Sequence, residues 1–183
     1  MFYELLVAFF ILGPLFYLRV VKQHSWEKIR EEMLPKFGGP AKEIIGSITL
    51  FGALLIGFYL LMVGMTTFEY YSGATVNDLG KVEQIVKEDF AAASLPYLAT
   101  ILIVLFAEEF FFRAFLVPRV GIILSTIVFT AFHIGYGSIA EIIGVFFLGL
   151  ILAYWFKKNK SLFQNYLGHV IYDAFAIALY LIG

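Results

Sequence analysis

The sequence predicts an all-α, polytopic integral membrane protein with about six transmembrane helices around a membrane-embedded cavity. Of its 183 residues, 61% are hydrophobic and only 15% are charged, whereas a typical soluble domain carries about 25% charged residues. Aromatic side chains make up 19% of the chain, which is more than the core of one small soluble domain could bury. Six apolar runs also approach the roughly 20 residues that a helix needs to cross a bilayer.

The apolar runs predict one membrane domain, 1–183, with two parts. Residues 1–94 hold two N-terminal spans with surface helices, and residues 95–183 hold a core of four spans. The predicted spans are, in order, Phe2–Val21, Ile44–Phe68, Leu95–Val117, Val120–Tyr136, Ile139–Phe156 and Leu162–Ile182. Pro118 is expected to end the third span, because its ring cannot continue the helical hydrogen-bond ladder.

Two polar stretches between the spans predict short helices that lie along the membrane surface. His24–Phe37 and Asn77–Phe90 each place their apolar residues on one stripe and their charges elsewhere, as interfacial helices do. In the second stretch, Glu83 and Lys87 have the spacing of an i,i+4 ion pair. Surface packing accounts for both stretches better than a partner-binding role does.

The distribution of Lys and Arg among the loops predicts the orientation in the membrane. Ten of the 13 lie in the first, third and fifth loops, whereas the second loop has only Lys81 and Lys87 and the third span holds Arg113. Because cytoplasmic loops are enriched in Lys and Arg, we expect both termini to be extracytoplasmic and the cavity to open toward the cytoplasm. The plasma membrane of a prokaryote is the expected location. Arg119 and Glu141, near span ends, are expected at the interface.

Charge and cysteine content exclude several classes of function. A net charge of −1 leaves no basic surface for nucleic acid, so no nucleic-acid partner is expected. The absence of cysteine excludes disulfides, Cys-ligated zinc, iron–sulfur clusters and a thiol nucleophile. The first apolar run is too long for the core of a cleavable signal peptide and has acidic Glu4 before it.

Six ionisable side chains fall inside the predicted spans, where such groups are costly and a functional role is the default interpretation. They are Glu108, Glu109 and Arg113 on the third span, His133 on the fourth, and His169 and Asp173 on the sixth. At 1.5 Å per residue from the cytoplasmic helix ends, Glu108, His133, His169 and Asp173 lie between roughly 12 and 20 Å deep. The shared depth predicts that helices running in alternate directions bring them together.

Each pair also has a purely structural interpretation. Glu109 and Arg113 could form a buried ion pair, His169 and Asp173 an internal hydrogen bond, and His133 could be a satisfied core histidine. Six groups at one depth favour chemistry instead. A carboxylate in a dry cavity is a stronger base than in water, and an imidazole can stabilise an oxyanion. This inventory suits metal-free amide hydrolysis by water, although two histidines and a carboxylate could instead hold a metal ion.

Three short motifs carry a family resemblance. Glu108–Arg113 matches E-E-x-x-x-R, Phe129–His133 matches F-x-x-x-H, and His169–Asp173 matches H-x-x-x-[D/N]. In this order on successive membrane helices, they resemble the CPBP family of intramembrane proteases. That family includes the type II CAAX prenyl endopeptidases and the bacteriocin-processing or self-immunity proteins. The resemblance covers about residues 95–183.

The resemblance implies a role for each matched position. Glu108 and His133 would position and activate the water, and His169 with the residue four positions later would stabilise the oxyanion. In the prenyl endopeptidases that later residue is typically Asn, an amide donor. Here it is Asp173, which donates only when protonated and could instead orient His169 or help to bind a metal.

The pair Glu109 and Arg113 would order this site. The expected function is therefore that of an intramembrane endopeptidase, with membrane lipid and a peptide or lipidated protein substrate as partners and no cofactor. Removal of the C-terminal tripeptide from prenylated CAAX-type substrates is its most specific form. A divalent metal at Glu108, His133 and His169 is the alternative to metal-free chemistry.

Three other functions stay open on the sequence. A bacteriocin self-immunity or peptide-maturation protease keeps the same fold and chemistry with another substrate. A proton- or cation-coupled transporter could use the same acids as a relay, although the chain lacks the inverted repeats of many transporters. A catalytically silent membrane scaffold has the same sequence pattern.

Overall fold

The computed structural model describes residues 2–34 and 37–182, and this part of the chain folds into helices without a strand. The helices are α1 (Phe2–Phe16), α2 (Trp26–Met33), α3 (Pro40–Ser72), α4 (Gly80–Glu108), α5 (Val117–Ala131), α6 (Ile139–Asn159) and α7 (Leu162–Ile182). Two π-helical segments, Tyr17–Val21 and Glu109–Leu116, extend α1 and α4, and a 3₁₀ turn at Ile134–Tyr136 follows α5. The prediction of an all-α polytopic membrane protein is confirmed.

Five helical stretches in the described residues are long and apolar enough to cross a membrane. They are Glu4–Val21, Pro40–Ser72, Gly80–Tyr136, Ile139–Asn159 and Leu162–Ile182. The predicted third and fourth spans both fall within Gly80–Tyr136, so the count of six separate spans is not reproduced. This stretch nevertheless contains two helical segments that run in opposite directions.

The reversal within Gly80–Tyr136 occurs at Gly121 and not at Pro118. Pro118 does not end the helix there, since Leu116 and Val117 before it are both right-handed helical and the first non-helical residue is Gly121. Gly121 has φ +82° and ψ 176°, a backbone conformation that glycine adopts without steric cost. Beyond it, the Ser125 hydroxyl donates to the carbonyl oxygen of Phe112 at 2.8 Å. The two segments therefore pack side by side.

Both predicted surface helices are present, with shorter bounds. The first is α2, whose Ile29 and Met33 are buried. The second is the beginning of α4, where Val82 and Val86 are buried and a non-helical residue, Ala93 (φ −161°, ψ 70°), interrupts the helix before its apolar half. The predicted ion pair between Glu83 and Lys87 is confirmed at 2.8 Å.

One end of the helix bundle is closed by packed apolar side chains. It carries the turns at 22–25, 117–121 and 160–161, and we call it the Lys/Arg-rich end because most of the Lys and Arg residues that the structure describes lie beside these turns, on α2 or in the first turn of α3. A single buried core fills it, formed by Leu18, Ile29, Met33, Phe110, Ala114, Val117, Ala153, Phe156 and Leu162. Burial of this core holds α1, α2, α6, α7 and the π-helical segment Glu109–Leu116 against one another.

The other end of the bundle carries the turns at 73–79 and 132–138, and the carboxylate of Asp78 holds these two turns together. We call it the acidic end, because residues 69–89 hold five Asp or Glu against two Lys. Asp78 accepts from Lys81 Nζ at 2.9 Å, from the Ser138 hydroxyl at 2.7 Å and from the backbone N–H of Ala140 at 3.0 Å. These donors, Lys81 first, hold the pKa of Asp78 well below its usual range. Asp78 thus caps the N-terminus of α6.

Candidate active site

Three of the six predicted site residues form one buried ionic cluster. Glu109 and Arg113 lie on the π-helical segment after α4, and His169 lies on α7. Glu109 Oε1 is 2.9 Å from His169 Nδ1, and Glu109 Oε2 is 3.5 Å from Arg113 Nε. Glu109 and Arg113 are 0% and 1% exposed. The carboxylate therefore joins a guanidinium on its own helix to an imidazole on another.

The guanidinium of Arg113 is held by an aromatic ring as well as by Glu109. Its Cζ lies 4.1 Å from the centroid of the Phe129 ring, a favourable cation–π geometry away from water. Among the described residues, its Nη1 and Nη2 atoms have no hydrogen-bond partner. Phe129, the first residue of the F-x-x-x-H motif, thus contributes directly to the burial of this charge.

The remaining nitrogen of His169 faces Asp173. Its Nε2 lies 3.6 Å from Asp173 Oδ1, and both side chains border a cavity. Since an ionised Glu109 only accepts hydrogen bonds, His169 Nδ1 carries the proton in the contact with Glu109. The predicted i,i+4 pair of His169 and Asp173 is present as a close contact that is longer than a hydrogen bond.

The ring of His133 is also fixed by its own helix. Its Nδ1 lies 3.0 Å from the carbonyl oxygen of Phe129, and a carbonyl can only accept, so Nδ1 is the protonated nitrogen. The imidazole packs against the Phe129 ring at 4.6 Å between centroids. The Nε2 atom is left for a ligand in the cavity that His133 lines.

Glu108 differs from its neighbour Glu109. Its side chain is half-buried and borders the cavity. It makes no hydrogen bond or ion pair with any residue that the structure describes. Glu109 is committed to two partners, whereas Glu108 presents a carboxylate to the cavity.

The cavity has a volume of about 400 Å³. Four of the predicted site residues line it: Glu108, His133, His169 and Asp173. Apolar side chains from α3, α4, α6 and α7 form most of the remaining lining. Glu109 and Arg113 lie behind His169 and are not among the lining residues. The six predicted residues thus lie in two layers. Four of them line the cavity, and Glu109 and Arg113 lie beneath it.

The position of the cavity corrects one expectation. We expected it to open at the Lys/Arg-rich end, but its lining reaches Leu79, Tyr136, Ala140 and Tyr180, which lie at the acidic end. The Lys/Arg-rich end is filled by the core around Phe156. Loop charge says nothing about where packed apolar residues leave space, so that expectation had no physical basis.

Two residues of the site region were not anticipated. Glu141, expected at the interface, is half-buried and lines the cavity. Asn165 is fully buried, donates from Nδ2 to the carbonyl oxygen of Leu152 at 2.9 Å and lies beside Glu109. Its position one helical turn before His169 was the available signal. Arg119 is as expected, an exposed residue paired with Glu32 at 2.8 Å.

Metal binding was tested on the donor set itself. Among the described residues, no three His, Asp or Glu side chains come together in a group that could hold a metal ion. Glu108, His133 and His169 share a cavity without forming such a group. A metal held by these three residues stays an alternative drawn from the sequence.

Comparison with known protein families gives a match over the C-terminal part of the chain. Residues 90–175 match the family described as type II CAAX prenyl endopeptidase Rce1-like. No curated protein and no solved structure matches the chain. The matched segment contains all three motifs and confirms the family resemblance drawn from them.

Proposed function

We propose that the chain, whose residues 90–175 match the Rce1-like family, is an intramembrane protease of the CPBP family that hydrolyses peptide bonds with a water molecule activated by Glu108 and His133. The observation that carries the proposal is the difference in contacts between two adjacent carboxylates. Glu108 faces the cavity without a partner, while Glu109 is used to hold His169 and Arg113. One carboxylate is available for chemistry and the other positions His169.

The reaction follows from the side chains that line the cavity. Glu108 accepts a proton from water, and the oxygen of that water bonds to the carbonyl carbon of the peptide. The carbonyl π electrons move to its oxygen, which becomes the oxyanion. Glu108 then gives its proton to the amide nitrogen, the C–N bond breaks, and a carboxyl group and an amine leave. His133 Nε2 orients the water beside Glu108.

The oxyanion is stabilised by His169. With Nδ1 donating to Glu109, a protonated Nε2 points at the cavity as a hydrogen-bond donor. Asp173, 3.6 Å from that atom, holds the ring in position and favours its protonated form. This role suits a carboxylate at the position where the prenyl endopeptidases typically have Asn.

The substrate is a peptide segment that enters an apolar, membrane-level cavity. A volume of about 400 Å³ is in the range of ordinary small-ligand pockets and accommodates a few residues. The prenylated CAAX terminus is the first substrate to test, and a peptide-maturation or self-immunity protease acting on an unprenylated peptide is the second. No cofactor takes part in the proposed reaction.

The test is cleavage of a fluorogenic farnesylated CAAX peptide, beside its unprenylated form, by detergent-purified protein. Glu108→Gln should lower kcat/KM by about 10²- to 10⁴-fold, the usual contribution of a general base. A chelator should leave the wild-type rate unchanged. Cleavage that a chelator inhibits would indicate instead that the same residues hold a metal ion.

Glu88→Gln is the matched control. Glu88 lies on α4 as Glu108 does, but it is exposed and pairs only with Gln84 at 2.8 Å. The same isosteric change there should leave kcat/KM within about twofold of wild type. Full activity in Glu108→Gln would refute the proposed mechanism, and cleavage of the unprenylated peptide alone would select the second substrate class.

A further inference from the structure

We propose that the cavity receives its peptide from the extracytoplasmic side of the membrane, so that the substrate is a peptide segment exposed on that side. The inference rests on the proposed protease function and, between its two substrate classes, selects the unprenylated peptide, because CAAX termini are prenylated in the cytoplasm. It follows from where the cavity lies in the bundle and from how charge is distributed between the two ends.

The cavity begins well inside the Lys/Arg-rich end. Its nearest lining residues there are Leu152 on α6 and His169 on α7, each seven residues from the helix end at Asn159 or Leu162. Seven residues correspond to about 10 Å of helix. The intervening layer is the packed core that contains Phe156 and Met33, each 1% exposed. A peptide approaching from this end would meet closely packed side chains.

The cavity continues to the acidic end. Ala140 lies one residue after the start of α6, and Tyr180 lies two residues before the end of α7. Leu79, in the turn before α4, also lines it. At this end the cavity is bordered by the first part of α4, whose Val82 and Val86 face inward.

Charge assigns the two ends to opposite sides of the membrane. Most of the Lys and Arg residues that the structure describes belong to the Lys/Arg-rich end and only Lys81 and Lys87 to the acidic end. Short loops with an excess of Lys and Arg stay in the cytoplasm. The packed end therefore faces the cytoplasm, and the end that the cavity reaches faces away from it.

The carboxylates of the lining add a preference for substrate charge. Asp89, Glu108, Glu141 and Asp173 line the cavity, and no Lys or Arg does among the described residues. An acidic peptide would be repelled by this set. A neutral or basic segment is the fitting occupant.

Single cysteines test the sidedness directly, because the chain has no cysteine of its own. Ala176→Cys places a thiol in the cavity, and Ala178→Cys places one on the exposed face of the same helix at nearly the same depth. Thr75→Cys and Lys158→Cys mark the acidic and Lys/Arg-rich ends at exposed positions. The probe is a charged, membrane-impermeant methanethiosulfonate applied to intact spheroplasts and to inside-out vesicles.

In spheroplasts, we expect labelling of Thr75→Cys and Ala176→Cys and none of Lys158→Cys. Ala176→Cys should react about tenfold or more faster than Ala178→Cys, because only a thiol in contact with water ionises. Thr100→Cys, also in the cavity lining, serves as a second cavity variant should Ala176→Cys fail to insert. Its labelling should follow the same pattern.

Labelling of the cavity cysteines only from the side of Lys158→Cys, or from neither side, would overturn the inference. So would exposure of Thr75→Cys on the cytoplasmic side. None of these results depends on proteolysis. Sidedness and the Glu108→Gln assay can therefore fail independently, which separates this inference from the function on which it rests.

Discussion

Two buried carboxylates at different levels of the bundle show what distinguishes an acid that only holds the fold together from an acid that belongs to a candidate catalytic site. Glu43, near the Lys/Arg-rich end, is 1% exposed, and Glu109, beneath the cavity, is 0% exposed. Glu43 accepts from the backbone N–H of Gly38 at 2.7 Å and from the hydroxyl of Ser161. Glu109 contacts an imidazole and a guanidinium.

The difference lies in the partners and not in the burial. The donors to Glu43 are a backbone amide and a hydroxyl, which do not ionise near neutral pH. Ser161 in turn accepts from the backbone N–H of Gln164 at 3.1 Å, so the network fixes the first turn of α7. Glu109 instead connects through His169 to a cavity. A buried acid becomes a functional candidate when a titratable partner links it to accessible space.

The largest stability effect is expected from Arg113→Met, which removes the cation of the buried cluster at similar volume. Glu109 would keep His169 as its only charged partner, and Phe129 would lose its cation–π contact. Breaking a buried pair from one side typically costs about 3 to 5 kcal/mol. Thermal unfolding in detergent measures this loss.

The control for that variant is Arg119→Met. Arg119 is partly exposed and pairs with Glu32 at the surface, where such pairs contribute about 0 to 1 kcal/mol. Equal destabilisation by the two variants would show that the buried cluster has no special role in holding the helices.

A smaller loss of stability is expected from a substitution at Gly168, which precedes His169 on α7. A Cβ there would lie 2.9 Å from Leu50 Cδ2 and 3.1 Å from the backbone oxygen of Ser47. Gly168→Ala should push α7 away from α3 and cost about 1 to 3 kcal/mol, and it should also displace His169 and lower kcat. Measuring the unfolding midpoint and kcat on one preparation tests both effects.

Gly52→Ala on α3 provides the matched comparison. A Cβ at Gly52 would have no neighbour within 4 Å, and alanine favours helix over glycine by about 0.5 to 1 kcal/mol. Stability should therefore stay level or rise. A loss like that of Gly168→Ala would contradict the close approach of α3 and α7.

The smallest effect is expected at the acidic end, from Asp78→Asn. Because the folded-state pKa of Asp78 lies below its ordinary value of 3.8, its stabilising contribution is fully present above about pH 4 and is lost as the pH falls further. The variant should unfold at a lower temperature than wild type at neutral pH. The gap should narrow in acid, and a gap that widens toward low pH would contradict the capping role.

The sequence was sufficient for the fold class and for the expectation that the predicted site residues lie in one region, but not for their division into two layers. Composition and hydropathy predicted an all-α membrane protein, since a bilayer requires long apolar helices. The i,i+4 spacings and shared depth predicted that Glu108, His133 and His169 meet in one region. Helical periodicity is a local property, so these features can be read from the chain alone.

The remainder depends on contacts between distant segments. Which of Glu108 and Glu109 faces the cavity depends on the π-helical turn and on the approach of α7. The burial of Glu43 requires Ser161, 118 residues later in the chain. The opening of the cavity follows from core packing around Phe156. None of these has a signature in spacing or charge.

The assignment of chemistry to the cavity carboxylate is tested most directly by measuring kcat/KM and the unfolding midpoint of Glu108→Gln and Glu43→Gln on matched preparations. We predict that Glu108→Gln loses about 10²- to 10⁴-fold in kcat/KM and keeps the wild-type midpoint. Glu43→Gln should lose about 1 to 3 kcal/mol of stability and keep its activity per folded molecule. Wild-type activity in Glu108→Gln, or loss of activity in a stable Glu43→Gln, would contradict the assignment of chemistry to the cavity carboxylate.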